Sequence, residues 1–448
     1  MHTVEITLEQ VLLARDRRVM RQRALATRYG GTLLSFTMNI AGPVKDAPLV
    51  RLAFRAGLAA LDRDLGKPVH RELIQAPTGP EALLVYDRPA PWVKERCLLL
   101  EERDPVGRLY DLDVLSPEGE KLSRPQSRRC LICGGPVTVC SRSRAHGLAA
   151  IRARTRDILA DFAAGHLSAL ARQALEDEVD LTPKPGLVDR VSNGAHDDMD
   201  IFTFMDSSSV LFPYFRHCAL LGLREHGLAP DALFDRLRCP GMDAEDAMHR
   251  ATGNVNTHKG AIFSLGIVCA AAGRLLGRQE RLTPAAISAT SAAMTSGVLA
   301  ECRNVPPNVP LTNGLRLYGK GIHGARGEAA SGFSSVLRYG LPSLERELAA
   351  GASIDRAGAL TLIRLMAKVF DTNIISRSSL RDQYALQDRL QGILAADEAP
   401  SRARLRELDA WLVAGNISPG GCADLLGLSW MLYFLRRDTA LEERDQEA

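Results

Sequence analysis

The sequence lacks an apolar segment that is long enough to cross a membrane. Its longest nearly uncharged apolar run, Ala261 to Gly273, is shorter than the ~20 residues of a membrane helix and contains serine and glycine. The first ten residues carry two acids and no apolar core, so we expect no signal peptide. Nine cysteines without regular spacing argue against a disulfide framework. We therefore predict a cytoplasmic protein without a membrane partner.

Several common binding signatures are missing as well. There is no GxxxxGK[ST] loop, which excludes the P-loop route to a nucleotide. Zinc-finger and helix-turn-helix patterns are absent and aromatic residues do not alternate with basic ones, so we expect no nucleic-acid partner. With 46% hydrophobic and 24% charged residues, the composition excludes a collagen-like, rod-like or disordered chain.

The two parts of the chain differ in charge. Residues 1–160 have a net charge of +8, and residues 161–448 have a net charge of −5. A basic surface suits a phosphorylated ligand or an acidic protein partner. A chain of 448 residues is long enough for two or three domains. We predict two, residues 1–157 and 158–448, with the boundary inside helical sequence.

The first part is predicted to be α+β. Thr7 and Gln10 have the spacing of a capping box, and Leu49 to Leu65 has the helical period. Strand-like composition predicts three strands, at Thr32–Met38, Ala82–Tyr86 and Leu109–Leu115.

The second part is predicted to be nearly all α-helical. Few strand candidates remain, and the loops are rich in glycine, proline and asparagine. The helical period or high helix propensity marks residues 149–179, 206–226, 243–250, 259–276, 284–302, 343–351, 355–375, 379–395, 401–414 and 422–436.

Four polar clusters separate these helices. Helical domains often place such loops at one end, where they can form a pocket. The clusters are residues 182–200, 253–260 and 319–332, and residues 371–377 together with 418–424.

Acidic residues are crowded in the first of these clusters. Asp197, Asp198 and Asp200 would repel one another without a cation, and Mg²⁺ takes a few carboxylates together with phosphate oxygens. Helix capping by acids is the alternative. His258 and Lys259 precede a long apolar helix and can form an anion site with its free N–H groups. The alternative there is a Thr257 cap with an exposed lysine.

Charged residues in the third cluster suggest further roles. Arg326 can bind phosphate, and Glu328 can bind a hydroxyl or move a proton. The alternative is an ordinary loop and helix cap.

The first part contains two acids that a strand would place on one face. Asp111 and Asp113 are separated by one residue, which predicts a divalent-metal site of the nucleotidyl-transfer type and a nucleotidyltransferase-like domain. An exposed strand face with Arg108 as partner is the alternative. Five arginines suited to a diphosphate or triphosphate follow, at Arg124, Arg128, Arg129, Arg142 and Arg144.

Three cysteines and a histidine lie among these arginines. Cys130, Cys133, Cys140 and His146 could hold Zn²⁺, but their spacing is not that of a common zinc finger. We interpret them instead as small buried cysteines.

Six motifs in the second part resemble the triphosphoribosyl-dephospho-CoA synthase family. They occur in order over residues 165–436, which makes the resemblance specific. They are TPKPGLVD at 182–189, GAHxDMD at 194–200, VNTHKG at 255–260, GEAASGF at 327–333, DTN at 371–373 and SPGGxADLL at 418–426.

The first part resembles the apo-citrate lyase phosphoribosyl-dephospho-CoA transferase family. The motifs are fewer and shorter. They are NIAGPVK at 39–45, GRLYDLDV at 107–114, and RCLIC at 129–133 followed by CSRSRxH at 140–146. The sequence departs from the family's pattern at Ser127-Arg128-Arg129 and at Gly134-Gly135-Pro136. The order of the two parts resembles the fused bifunctional enzyme of the CitX–CitG type.

The resemblance implies two reactions. The second domain would join ATP to 3′-dephospho-CoA, releasing adenine and forming 2′-(5″-triphosphoribosyl)-3′-dephospho-CoA. The first would transfer phosphoribosyl-dephospho-CoA to a serine of the citrate lyase acyl carrier (gamma) subunit, releasing diphosphate.

This chemistry suggests a role for each candidate residue. In the second domain Asp198 and Asp200 would bind Mg²⁺, and Glu328 or Asp371 would support the ribose and the attacking hydroxyl. The phosphates would be held by Lys184, His258, Lys259 and Arg326. In the first domain Asp111 and Asp113 would carry Mg²⁺, and the five arginines would offset developing charge.

Three other functions remain open at this point. The same chemistry could serve malonate decarboxylase, although the transferase half favours citrate lyase. The second domain could hydrolyse ATP or an ADP-ribosyl bond with water. The chain could also be a non-catalytic carrier-binding assembly factor.

Overall fold

The computed structural model describes residues 4–303, 322–396 and 399–439. The chain divides between Ala163 and Ala164 into two compact units, which we call unit 1 and unit 2. The sequence prediction placed this boundary after residue 157. Residues 319–321 of the third predicted polar cluster lie outside the described residues.

Unit 1 combines helices with one small sheet, as predicted for an α+β domain. A short 3₁₀ turn, Pro105–Leu109, precedes the last strand. The elements are α1 (Leu8–Tyr29), β1 (Thr32–Met38), α2 (Pro48–Leu65), β2 (His70–Ile74), β3 (Glu81–Tyr86), α3 (Ala90–Arg103), β4 (Tyr110–Leu115), α4 (Val137–Ser143) and the start of α5 (Leu148–Asp180).

The sheet of unit 1 is antiparallel and has the strand order β2-β3-β1-β4. Helices cover both of its faces. On one face Leu33 and Val85 join Leu25 of α1 in a buried cluster. Successive strand residues point to opposite faces, and on the other face Phe36 stacks on Phe54 of α2 with a ring-centroid distance of 4.5 Å. This burial on both sides explains why β3 is an almost continuous apolar run from Ala82 to Tyr86.

Most predicted elements of unit 1 are confirmed, but three elements were missed, one of them the short helix α4. The Thr7–Gln10 capping box is present, and β1 has the predicted bounds. The strand His70–Ile74 was missed because it is a partly exposed edge strand with three polar residues in succession. The helix Ala90–Arg103 was also not predicted.

The described residues of unit 2 form an all-helical fold, as predicted. Its helices begin with the end of α5 and continue with α6 (Ile201–Arg224), α7 (Pro230–Ala251) and α8 (Lys259–Gly277). The later ones are Pro284–Met294, Val298–Arg303, Gly324–Ala330, Leu341–Ala349, Ile354–Met366, Thr372–Arg377, Leu380–Ala396, Arg402–Ala414 and Gly420–Thr439, with a π-helical turn at Val336–Gly340.

One prediction in unit 2 was wrong in a way that matters for the site. The segment 355–375 does not form a single helix: one helix ends at Met366 and a new one begins at Thr372, capped by Asp371. The break turns the polar residues around Asp371 into a loop.

The core of unit 2 is built around α8. This helix is long and apolar enough to span a membrane by length and composition, but 83% of that stretch is buried inside the unit, as in the core helix of a globular domain. This apolar helix, Lys259–Gly277, is therefore longer than the uncharged run Ala261–Gly273 that the sequence analysis considered. Gly222 of α6 and Gly273 of α8 let the two backbones approach closely, because a Cβ at either position would overlap the facing backbone.

Candidate functional site

A cavity of about 690 Å³ lies in unit 2. Its volume is within the range of ~300–1,000 Å³ that is typical of small-molecule sites. All six motifs of the second part contribute to its wall, through Lys184, His196, His258, Glu328, Asp371 and Asp424 among others. The fold thus brings together polar loops that are far apart in the sequence.

Lys184 and Glu178 form a buried ion pair in the cavity wall. Lys184 Nζ lies 2.8 Å from Glu178 Oε1 and donates to the Glu178 carbonyl oxygen at 3.1 Å. Their side chains are only 2% and 6% exposed. The sequence predicted Lys184 as a phosphate ligand but missed Glu178, which lies within regular helical sequence near the end of α5. The charge of Lys184 is therefore already balanced by a carboxylate.

His258 is almost completely buried at the start of α8. Its Nδ1 lies 2.7 Å from Ser207 Oγ, and the ring packs edge-on against Phe204 with a centroid distance of 5.0 Å. Burial, and after it the charge of Lys184, lowers the pKa of His258 to about 3. The ring is therefore neutral near pH 7 and can offer a hydrogen bond but no positive charge.

Asp371 joins two of the cavity loops. Its Oδ1 accepts from the N–H of Asn373 at 2.8 Å, and its Oδ2 accepts from the N–H of Cys422 at 2.8 Å. Gln383 receives the N–H of Asp371 at 3.0 Å. Burial raises the pKa of Asp371, and these two backbone N–H groups oppose the shift. Both carboxylate oxygens thus accept N–H groups of the polypeptide backbone, and they link the loop of Asn373 to that of Cys422.

Among the described residues, Glu328 is a cavity carboxylate whose hydrogen bonds come from a single residue, Ser335. Ser335 Oγ donates to its Oε1 at 2.6 Å, and the N–H of Ser335 donates to its Oε2 at 3.3 Å. Burial raises the pKa of Glu328, while Ser335 opposes that shift. A carboxylate with a raised pKa is suited to accept a proton.

Asp424 is a further acid of the cavity wall, near the start of the helix Gly420–Thr439. Burial raises its pKa well above the ordinary value, and the nearby Glu178 and Asp371 carboxylates add to the effect. Gly260 has no room for a side chain, because a Cβ there would overlap the Asp424 carboxylate. The sequence marked the motif but did not assign Asp424 a role.

The acidic cluster after His196 separates into two environments. Asp198 lines the cavity, and its side chain is 61% exposed. Asp200 instead caps α6: its Oδ1 accepts from the N–H of Thr203 at 2.9 Å and from Thr203 Oγ1 at 2.8 Å. Asp200 is not among the residues that line the cavity. Capping, the alternative considered for the sequence, therefore describes Asp200.

Only some of the nearby basic residues line the cavity. Lys259 lines it, and its Nζ pairs with Glu245 Oε2 at 2.8 Å. Arg326 is exposed and is not part of the lining. Lys368 and Arg377 do line the cavity. Neither residue was given a role from the sequence. Lys368 belongs to none of the motifs, and Arg377 lies four residues after the DTN motif but is not part of it.

Unit 1 has its own cavity, of about 350 Å³. Three of the five predicted arginines line it, while Arg142 and Arg144 lie exposed at the end of α4. The lining residues are Glu101, Glu102, Gly107, Arg108, Arg124, Gln126, Ser127, Arg128 and Arg129.

Glu101 organises the arginines of this cavity. It is 2% exposed, and it pairs with Arg124 and with Arg128, whose Nη2 lies 2.6 Å from Glu101 Oε1. Its Oε1 also accepts from the N–H of Leu112 in β4 at 2.9 Å. The sequence gave no signal for Glu101, because it belongs to a helix that was not predicted.

Asp111 and Asp113 lie on the same, partly exposed face of β4, as predicted. This strand is at the edge of the sheet. Arg128 Nη2 approaches Asp111 Oδ1 at 3.2 Å, and Lys121 Nζ approaches Asp113 Oδ2 at 2.6 Å. The predicted alternative partner, Arg108, instead donates to the carbonyl oxygen of Arg129.

The interpretation of the cysteines as small buried residues was wrong. Cys133 is exposed and Cys140 is half-buried, and only Cys130 fits that description. The sulfur atoms of all three and a ring nitrogen of His146 lie within 4.8 Å of one another. The sequence spacing did not show this, because it depends on how the chain reverses between Cys140 and His146.

Two family models match the chain. The model described as ATP:dephospho-CoA triphosphoribosyl transferase, CitG, matches residues 164–443. The model described as apo-citrate lyase phosphoribosyl-dephospho-CoA transferase, CitX, matches residues 6–162.

Curated relatives match the chain as a whole and in its second part. "Protein CitXG" of Haemophilus influenzae is 36% identical over 96% of both chains. A 2-(5″-triphosphoribosyl)-3′-dephosphocoenzyme-A synthase of Haemophilus ducreyi is 37% identical over 68% of this chain and 98% of the relative. A probable synthase of the same name from Pectobacterium carotovorum is 44% identical over 58% of this chain and 86% of the relative.

Proposed function

The chain belongs to the family of fused CitX–CitG proteins, and we propose that its two units carry out successive steps of citrate lyase prosthetic-group synthesis. It is a bifunctional transferase. The observation that carries the proposal is that all six synthase motifs contribute to one cavity in unit 2. We assign the synthase step to unit 2 and the transferase step to unit 1.

In unit 2 the proposed reaction joins the C1 of the ATP ribose to the 2′-hydroxyl of 3′-dephospho-CoA. The bond to adenine breaks, and a triphosphoribosyl group is transferred. Loss of the base gives oxocarbenium character to the ribose, so nearby carboxylates stabilise the transition state. Glu328 removes the proton of the attacking hydroxyl. Asp424 lies in the cavity wall, and its raised pKa favours the protonated form, so we assign it as the proton donor to departing adenine.

The remaining groups of the cavity bind and orient the substrates. Lys259, Lys368 and Arg377 supply positive charge for the triphosphate. Lys184, whose charge Glu178 balances, and the neutral His258 each supply a hydrogen bond. Asp371 keeps the loops around Asn373 and Cys422 in register. Arg326 is exposed and does not line the cavity, so it would contact only a part of the substrate that extends out of the cavity.

Mg²⁺ is expected to accompany the triphosphate. Asp198 fits the role of its ligand, because it is an exposed carboxylate in the cavity wall. Asp200 does not fit, because its Oδ1 is held by Thr203 outside that wall. The ion would offset phosphate charge and keep the triphosphate in one conformation.

In unit 1 the proposed reaction moves phosphoribosyl-dephospho-CoA to a serine of the acyl carrier subunit of citrate lyase. The serine oxygen attacks the phosphate next to the ribose, and diphosphate leaves. Arg124, Arg128 and Arg129 stabilise the leaving group. Asp111 and Asp113 fit Mg²⁺ ligands, since both are partly exposed on one face of an edge strand. We propose that this domain is nucleotidyltransferase-like on this basis.

The acyl carrier is also the proposed protein partner of unit 1. The net charge of +8 on residues 1–160 favours an acidic carrier, and the association rate should fall as salt is added. Both steps are proposed to take place in the cytoplasm.

The test follows adenine and the CoA product. The full-length protein is incubated with ATP, Mg²⁺ and 3′-dephospho-CoA, and then with the apo-carrier of citrate lyase. We expect adenine only when dephospho-CoA is present, a triphosphoribosyl mass gain on the CoA, and a phosphoribosyl-dephospho-CoA mass gain on the carrier.

Other outcomes separate the alternatives. Release of adenine or ADP without dephospho-CoA would support a hydrolase. A carrier of malonate decarboxylase that is labelled in preference to that of citrate lyase would move the proposal to that pathway. Carrier binding without any turnover would indicate an assembly factor.

A further inference from the structure

Three cysteines and one histidine of unit 1 form a compact cluster outside the residues used above. One ligand atom from each of Cys130, Cys133, Cys140 and His146 lies within 4.8 Å of the others. Cys133 Sγ and Cys140 Sγ are 3.5 Å apart. Zinc–sulfur bonds of about 2.3 Å in a tetrahedron place sulfur atoms about 3.8 Å apart. The cluster therefore has nearly the dimensions of a four-coordinate site.

A tight turn holds the first two cysteines. The N–H of Cys130 donates to the carbonyl of Gly135 at 2.6 Å, and the N–H of Gly134 donates to the carbonyl of Cys130 at 3.1 Å. Gly134 has φ 72°, a left-handed conformation that glycine adopts without strain. The N–H of Ile132 points at Cys130 Sγ, at 3.4 Å. Such N–H groups stabilise a thiolate, which is the form that binds metal.

A second turn brings back the histidine. Cys140 lies on α4, which ends at Arg144 in a left-handed conformation with φ 50°. The N–H of Ala145 then donates to the carbonyl of Cys140 at 3.1 Å, and the chain reverses. In the described part of the chain, the buried Nε2 of His146 has no hydrogen-bond partner. His146 therefore has a buried imidazole nitrogen without a partner, and one of its ring nitrogens lies within 4.8 Å of three thiols, so the residue is available to bind a cation there.

The segment around the cluster has little else to hold its shape. No residue of α4 is buried, and most of residues 131–147 are exposed. A short segment without an apolar core usually depends on a metal or a disulfide for its conformation. A disulfide between Cys133 and Cys140 would leave Cys130 and His146 without a role, whereas one metal ion engages all four.

We propose that Cys130, Cys133, Cys140 and His146 bind one structural Zn²⁺ ion. Three thiolates and an imidazole in a tetrahedral arrangement favour zinc, and four protein ligands leave no open position for catalysis. Binding releases the protons of the cysteine thiols that are still protonated. Since Arg128 and Arg129 immediately precede Cys130, the ion would fix the base of the loop that carries two arginines of the unit 1 cavity.

The first test measures metal in the full-length protein purified without chelator. We expect about one zinc per chain by elemental mass spectrometry. We expect Cys133→Ser and His146→Ala to lose most of it, and Cys239→Ser, an exposed cysteine of unit 2, to keep it. Retention of zinc by both cluster variants would overturn the proposal.

A second test does not depend on whether the variants fold. Wild-type protein is stripped with chelator under reducing conditions and titrated with Co²⁺. A tetrahedral thiolate site gives an intense sulfur-to-cobalt charge-transfer band that saturates at one equivalent and disappears when Zn²⁺ is added. A spectrum of hydrated Co²⁺ only, or a Cys133–Cys140 disulfide in freshly purified protein, would reject the site. This result is independent of the proposed enzymatic activities.

Discussion

The side-chain nitrogen of Lys184 lies 2.8 Å from Glu178 Oε1, and both groups are almost inaccessible to water. The pair connects the last turns of α5 to the first loop of the unit 2 cavity. A buried ion pair brings little net stability, but removing one partner leaves a buried charge without compensation. Lys184 therefore has a structural task in addition to any contact with phosphate.

We predict that Lys184→Met destabilises unit 2 by about 3–5 kcal/mol, because Glu178 is left buried and unpaired. Lys259→Met is the matched control, since its pair with Glu245 is 57% exposed at the lysine and should contribute less than ~1 kcal/mol. Urea denaturation in a Trp92→Phe background checks both values, because Trp411 and Trp430 then report unit 2 alone.

The double variant Lys184→Met/Glu178→Leu distinguishes this explanation from a loss of packing. It removes the unpaired carboxylate, so we expect it to recover much of the lost stability. A double variant that is less stable than Lys184→Met would contradict the ion-pair explanation.

The two aspartates after His196 should respond differently to the same change. Asp198→Asn removes the charge of a carboxylate that we propose as an Mg²⁺ ligand. We expect the Mg²⁺–ATP concentration needed for half-maximal adenine release to rise about tenfold, which corresponds to a loss of ~1.4 kcal/mol in binding free energy. Asp200→Asn keeps an N-cap side chain that helices accept well, so adenine release should be unchanged. Titration of adenine release with Mg²⁺–ATP compares the variants. The reverse pattern would place the metal at Asp200.

The rate of adenine release should rise with pH through the titration of Glu328. A base must lose its proton to act, so the acidic limb of the rate profile follows the pKa of Glu328, which burial raises above the ordinary value for glutamic acid. Ser335 stabilises the ionised carboxylate and thereby lowers that pKa. Ser335→Ala should therefore move the limb to higher pH and leave the rate at its plateau nearly unchanged.

Glu328→Gln should abolish that limb and reduce adenine release by about 10²- to 10⁴-fold. The assignment of Glu328 as the base requires both results: loss of the limb in Glu328→Gln and its shift to higher pH in Ser335→Ala. If Ser335→Ala leaves the limb where it is, Glu328 is not the group that titrates on the acidic limb, and its assignment as the base is wrong.

Much of the fold follows from local patterns in the sequence. The apolar period predicts most helices of unit 2, and the Thr7–Gln10 box marks the start of α1. The break between Met366 and Thr372 was missed, because helix propensity does not reveal that Asp371 caps a new helix. Its carboxylate is held by the distant Cys422 N–H, a contact that only the tertiary fold creates.

The sequence predicted residues of the candidate site only where polar residues lie in loops between helices. Glu178, Lys368 and Glu101 were missed because each lies within or just beyond a helix, where a charged residue is normally on a solvated face. The cluster around Cys130 was misinterpreted because sequence spacing does not report the reversal at Arg144 that returns His146 to the cysteines.

The arginines of unit 1 should also differ in importance. Arg128 reaches Glu101 Oε1 at 2.6 Å, the Tyr110 carbonyl at 2.9 Å and Asp111 Oδ1 at 3.2 Å through Nη2. A lysine has one terminal nitrogen for these contacts and lacks the second terminal nitrogen with which a guanidinium can bind a phosphate at the same time. We therefore expect Arg128→Lys to lower kcat/KM for carrier labelling by about 10- to 100-fold, the equivalent of ~1.4–2.8 kcal/mol.

Arg142→Lys is the matched control, because Arg142 is exposed on α4 and does not line the cavity of unit 1. Its labelling rate should remain within about twofold of wild type, since an exposed residue of α4 loses no buried contact. Adenine release by unit 2 should be unaffected in both variants, which shows that unit 2 is intact and that the loss is confined to unit 1. Equal losses for the two variants would mean that the arginines act through overall charge on the carrier, in which case both effects should disappear at high salt.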